Sequence, residues 1–404
     1  MRVLHTLAQL PMRTGSGVAF ENMVRGFEKN GAENAIIYGF QEPFEFDFGL
    51  KEYPLEFKTD EVNFPIAGMS DEMPYENTIY SEMSEEMIDT WFKAFDKRLM
   101  AAKEEFNPEL LICHHLWYLT SMALDIFEDI PVIGVCHSTD LRQAKQNPEL
   151  FEKYVYDMNR LAHVFALSKE NKDEIIKIFG VDEDKITIVG GGFNQDIFHS
   201  KDLKRPEDKI RIIYAGKIAR AKGAYELAKA YPNLKRKYPE LEMKFIGEAI
   251  PSEQEILYEN AHYMDGFRIY NVKNQKELGD HMRMAHIFSL PSYYEGLGLT
   301  AIEALACKLR VVCSVIPGLM ELLGDEVNES EVIDYVTLPE IYDQDRPVKS
   351  QVDGYVQRLE EALDKQIMAI KEGRDFPEDV YDSVMSHSWD EICLREYEIV
   401  KGLL

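Results

Sequence analysis

Short runs rich in Val, Ile and Leu recur along this 404-residue chain, and segments of helical periodicity separate them. Strands spaced by a helix cannot form hairpins, so they pair in parallel and need a helix on each crossover. The pattern therefore predicts doubly wound α/β structure. A first series of strands is expected at "RVLHTLA", "NAIIYGF", "LLICHH", "PVIGVCH" and "HVFALS". A second follows at "IRIIYAG", "EMKFIG", "HIFSLPS" and "RVVCS". Between them lies "VGGGFNQDIFHSKDLKRPEDK", a glycine triplet followed by a charged stretch with the composition of a linker. The length suits two domains of about 150 to 200 residues, and the division falls near residue 200. No repeat of solenoid length is present.

Residues 41–83, rich in Phe, Glu, Met and Pro, break the alternation and read as a solvated loop excursion, with a binding lid as the second choice. The formal charge is −27, which argues against a nucleic-acid backbone or an anionic membrane as main partner and requires local cations for any anionic ligand. Cys113, Cys136, Cys307, Cys313 and Cys393 form no C-x-x-C pair and are expected as reduced thiols of a cytoplasmic protein. No apolar run approaches the ~18 residues of a membrane helix, so a soluble protein is expected.

The most informative stretch is "PSYYEGLGLTAIEALA", at 291–306. A strand runs out into Pro-Ser, a loop carries Glu295, Gly296 and Gly298, and an Ala-rich helix begins near Gly298 and Leu299 with Glu303 inside it. The first amides of such a helix have no intrahelical acceptor and suit a phosphate or a sugar hydroxyl. A carboxylate before the helix and another within it can each take a pair of neighbouring hydroxyls. Alone, two glutamates in so acidic a chain equally describe a solvated helix face. "IIYAGKIARAKGAYEL" places Lys217, Arg220 and Lys222 after a strand and before a helix, the composition of a diphosphate clamp or of a solvated loop.

In the first half, "MRTGSGVAFENMV" puts Gly15 and Gly17 between the first strand and first helix, with Thr14 or Ser16 available to cap. A dinucleotide fingerprint would need a third glycine where Phe20 stands; Glu42, near the end of the second strand, keeps NAD as a weaker rival. His137, in "PVIGVCHSTDLRQ", ends an apolar strand and opens a polar loop, where both catalytic and structural histidines occur. Asp140, Arg142 and Lys145 follow; Arg142 could grip an anionic group of an acceptor or lie in a surface ion pair. His114 and His115 adjoin in "CHHLW" and should point to opposite faces.

With these residues in place, the chain resembles glycosyltransferase family 4, the glycosyl transferases of group 1. "EGLGLTAIE" matches that family's Glu-x7-Glu motif, and "AGKIARAKG" resembles its Gly-Arg…Lys-Gly loop with Lys217 at the usual arginine. "GGGFNQDIF" resembles the segment before its linker, "GLMELL" its Gly-x-x-Glu element with Glu321, and "SHSWDEICLREYEIV" its terminal helix with Trp389. "CKLRVV", "PG" and residues 325–350 depart from its pattern. The resemblance implies a GT-B fold, two Rossmann-like domains facing a central cleft. They would be an N-terminal acceptor-side domain (1–198, completed by helix 385–404) and a donor domain (205–384). It implies retaining transfer of a sugar from a nucleoside diphosphate, UDP by base rate, to a hydroxyl acceptor, without metal or other cofactor. Glu295 would then orient the donor sugar and Glu303 hold the ribose. Lys217, Lys222 and Arg220 would neutralise the diphosphate beside Gly15, Gly17, Gly296, Gly298 and Leu299, and His137 would sit near the reacting centre. Arg142 would serve the acceptor, for which a soluble small molecule or saccharide is expected.

Three rival classes are a metal-dependent transferase, a nucleotide-sugar epimerase of the same architecture and a non-catalytic nucleotide-sugar-binding protein. The first needs an Asp-x-Asp, offered formally by Asp182 and Asp184 and by Asp343 and Asp345, neither pair after an apolar strand.

Overall fold

The structure is a computed structural model that describes residues 1–10, 14–42, 49–71, 73, 75–343 and 345–404. The chain divides into two compact units, Met1–Gly190 with Trp389–Leu404, and Gly191–Ser388.

The first unit contains β1 (Arg2–Leu7), β2 (Glu33–Phe40), β3 (Lys51–Glu56), the short ladder β4 (Ala67–Gly68) with β5 (Thr78–Ile79), β6 (Leu110–His114), β7 (Val132–Val135), β8 (His163–Ala166) and β9 (Ile186–Ile188). Seven of these form one parallel sheet in the order β3-β2-β1-β6-β7-β8-β9. The order reverses between β1 and β6, and at such a reversal the loops beyond the strand ends diverge and leave room for a ligand. Val3, Ile112, Ile133 and Phe165 on one face pack with Met23 and Phe27 of the helix Gly15–Lys29 and with Ile392 and Val400 of the terminal helix Trp389–Lys401. Gly26 permits this helix pair, since a Cβ there would lie 2.4 Å from Cys393 Cβ.

The expected solvated loop at 41–83 instead contributes a string of side chains to the core, between exposed positions such as Lys58, Asp60 and Asn63; residues 43–48, 72 and 74 lie outside the described residues. Tyr53, Leu55, Phe57, Val62, Phe64, Ile66, Met69 and Tyr80 are all buried. They join Trp91, Phe95 and Leu99 of the helix Glu85–Glu105 in the largest apolar cluster of the unit. β3 is an alternating strand whose glutamates face out, and its Pro54 is tolerated because β3 is the sheet's last strand.

The second unit holds β10 (Ile210–Ala215), β11 (Leu241–Ile246), β12 (Phe267–Tyr270), β13 (Ile287–Leu290), β14 (Arg310–Ser314) and β15 (Ile333–Val336). They form a parallel sheet in the order β12-β11-β10-β13-β14-β15, again reversing once, between β10 and β13. β12 and β15 go beyond the expected strand series. In the divergent stretch 325–350, β16 (Ile341–Tyr342) pairs antiparallel with β17 (Arg346–Pro347); Gln344 lies outside the described residues. No helix among the described residues is long and apolar enough to cross a membrane.

Candidate active site

The second unit places "AGKIARAKG" and "PSYYEGLG" side by side, because they follow β10 and β13, the two strands at its reversal. The loops are joined through backbone. Tyr293 N–H donates to the Ala221 carbonyl at 2.9 Å. Gly223 adopts φ +63°, and a Cβ there would lie 2.0 Å from the Pro291 carbonyl oxygen, so only glycine lets the loops meet. Tyr355 Oη donates to that same Pro291 oxygen at 2.8 Å and lies 3.0 Å from Ser314 Oγ.

Across this junction Lys222 Nζ pairs with Glu295 Oε1 at 2.8 Å, and Ser292 Oγ donates to the same oxygen at 3.1 Å. The two residues read separately from the sequence are therefore partners. Arg220 is exposed, with its guanidinium 5.7 Å from the centre of the Tyr225 ring. Lys217 is exposed on the same loop, and its carbonyl accepts from Tyr214 Oη at 2.8 Å. The helix after Glu295 spans Leu299–Ala306, one residue past Gly298, which takes φ +60° at its cap. A Cβ on Gly296 would meet nothing within 4 Å, so the backbone there is open to close approach. Glu303 is 9% exposed, and burial pushes its carboxyl up to about 8.

Glu226 and Tyr293 escaped the sequence reading. Glu226 lies in the first turn of the helix Ala224–Lys237, and burial raises its carboxyl. Its charge is felt by Tyr293, and Arg220 acts on both. The sequence carried no signal for Glu226, which shares the run "GAYELAKAY" with Lys229 and reads there as a solvated helix position.

In the first unit, Thr14 caps the helix Gly15–Lys29 by accepting from Gly17 N–H at 3.1 Å, with Gly15 and Gly17 in its first turn. Residues 11–13 of the preceding loop lie outside the described residues. Phe20, where a dinucleotide fingerprint needs glycine, is fully buried and packs its ring 5.1 Å from His114. Arg142 is hydrogen-bonded to Ser70 Oγ, and Lys145 pairs with Glu174.

His137 follows β7 and is buried. Desolvation pulls its imidazole down to about 3; His115 adds to the effect and Asp140 opposes it. The expectation that His114 and His115 diverge fails. The His114 ring stacks on His137 at 5.7 Å, and the His115 ring lies 4.7 Å from it. The strand ends at His114, and His115 takes φ +73°, so the alternation of faces no longer applies. Asp140 joins the group, and burial works against its ionised form while His115 favours it, leaving its carboxyl lowered.

Among the described residues, no group of three His, Cys, Asp or Glu is arranged to hold a metal ion. Asp182 and Asp184 lie just before β9, at the opposite end of the sheet from His137, and the Asp343–Asp345 pattern includes Gln344, outside the described residues.

Residues 195–334 match the family model described as glycosyl transferases group 1, and residues 76–196 the model described as glycosyltransferase family 4. An uncharacterized glycosyltransferase of Methanocaldococcus jannaschii is 24% identical over 352 residues, covering 81% of this chain and 84% of that one. Among solved structures, a glycosyltransferase of Rickettsia africae aligns with a TM-score of 0.66 at 14% identity, over 100% of this chain and 98% of that one. The pneumococcal O-GlcNAc transferase GtfA, solved with UDP and GlcNAc, aligns with a TM-score of 0.62 at 13% identity, over 100% and 99%. At these identities the structural likeness speaks to the fold.

Proposed function

Because this chain belongs to the group 1 glycosyltransferases of family 4, with the GT-B fold, we propose that it moves a hexosyl group from a nucleoside-diphosphate sugar, with UDP as the nucleotide, to a hydroxyl acceptor with retention of configuration. The observation that carries this reading is the Lys222–Glu295 pair, held across two loops at the β10/β13 reversal.

In this mechanism the diphosphate lies against the loop of Lys217, Arg220 and Lys222 and the first amides of the helix Leu299–Ala306. Charge growing on the leaving oxygens meets cations and N–H dipoles already in place. The incoming diphosphate takes over Lys222, which frees the Glu295 carboxylate for the sugar hydroxyls. Glu303, protonated below about pH 8, adds no negative charge beside the diphosphate and can both donate to and accept from the ribose diol. His137 in the first unit serves the reacting centre as a neutral imidazole, and the acceptor hydroxyl attacks on the face that the diphosphate leaves. Neither a metal nor a protein nucleophile is required. The UDP bound in the pneumococcal relative supports the choice of nucleotide.

Calorimetric titration with UDP, GDP and ADP, with and without EDTA, tests the donor site. UDP is expected to bind in EDTA, and Glu303→Ala to weaken it about tenfold or more, as for loss of a buried hydrogen-bonding partner. Binding that needs a divalent cation, or is unchanged in Glu303→Ala, would refute the corresponding part.

A further inference from the structure

Asp140 is fully buried on the helix Ser138–Gln146, yet its carboxylate serves two other segments. Oδ2 accepts from Leu116 N–H at 2.9 Å, beyond the end of β6, and from His137 N–H at 3.0 Å, beyond the end of β7. Oδ1 lies 2.5 Å from His115 Nδ1. An ionised carboxylate only accepts, so Nδ1 of His115 carries the proton, and in the neutral ring Nε2 holds a lone pair. Nε2 of His115 and Nε2 of His137 are both buried without a hydrogen-bond partner in the structure. A carboxylate that gathers two strand-end loops and a histidine left-handed at φ +73° is a costly arrangement for stability alone.

We propose that Asp140 and His115 are positioning residues for His137: Asp140 holds the His137 main chain and one tautomer of His115, and the His115 ring sets the plane of the His137 imidazole. The inference rests on the reading of this chain as a sugar-nucleotide transferase with His137 at the reacting centre.

Two variants separate its parts. Asp140→Asn keeps the shape but can no longer accept every donor. His115→Asn tolerates the left-handed backbone and can still donate to Asp140, but removes the ring beside His137. Ring-15N spectra of histidine-labelled protein should show His115 as a single Nδ1–H tautomer, lost in Asp140→Asn, with the His137 ring signals displaced in both variants. With UDP-glucose or UDP-N-acetylglucosamine as donor and water as acceptor, kcat should fall about tenfold or more in both while the dissociation constant for UDP stays within about twofold. Melting curves identify the folded variants, and His115→Asn keeps the test open if Asp140→Asn does not fold. Unmoved His137 signals, or an unchanged kcat in a folded variant when His137→Ala abolishes turnover, would overturn the inference. A wild type that binds no nucleotide, or His137→Ala with full turnover, would overturn the functional reading instead, while the spectra still decide whether Asp140 and His115 position His137.

Discussion

At the scale of single residues, the site is built on positions that admit little substitution. Gly223→Ala would place a methyl group against the Pro291 carbonyl at a left-handed φ. It should destabilise the second unit by about 2 kcal/mol or more, read from the urea midpoint, and weaken UDP binding because Lys222 is its neighbour. Glu396 gives a prediction of opposite character. Burial in the terminal helix raises its carboxyl to about 8. A folded-state value above the unfolded one contributes stability that is complete below the unfolded value near 4.5 and is lost as pH rises through 8. Glu396→Gln cannot ionise, so its melting temperature should gain on the wild type between pH 5 and pH 9; a constant difference would show that Glu396 does not titrate there. The glutamates of Glu-x7-Glu were legible because their spacing sits on a strand–loop–helix pattern. Glu226 was not, because nothing in an acidic sequence marks which glutamate is buried.

At the scale of elements, the terminal helix depends on one missing side chain. Gly26→Leu would drive bulk into Cys393 and push the helix Trp389–Lys401 off the helix Gly15–Lys29, exposing Val3, Ile112 and Ile392. The expected outcome is a lower melting temperature with increased binding of a hydrophobic dye; an unchanged melting temperature would mean that the helix docks elsewhere. The segment beyond residue 49 shows why elements can be misread. Tyr53, Leu55 and Phe57 alternate with Glu52, Glu56 and Lys58, a good half-buried strand, but Pro54 and the surrounding glutamates mask it. β12 and β15 were missed for a related reason, since both are sheet edges whose outward positions carry Arg, Tyr or Asp.

At the scale of the whole molecule, acid should be the weak side of the first unit. His5 and His137 are held near 3, and His114 is also lowered, all chiefly by burial. Because these folded-state values lie below the unfolded 6.5, the unfolded chain takes up protons first. Stability from the neutral rings is complete above 6.5 and is lost as pH falls toward 3. Thermal midpoints measured from pH 7 to pH 4 should therefore fall, and His5→Phe, which removes one of these rings, should flatten the slope; an unchanged slope would show that His5 does not contribute to it. The division of labour between sequence and structure follows from range. Fold class, two α/β units and the glycine and glutamate positions of the Glu-x7-Glu loop are consequences of local periodicity and local spacing, so the sequence by itself determined them. Lys222 meeting Glu295, His115 turning onto His137 and the core beyond residue 49 depend on contacts between distant segments. Strand order and burial decide those contacts, and only the tertiary structure holds them, because a side chain's neighbours in space are not its neighbours in the chain.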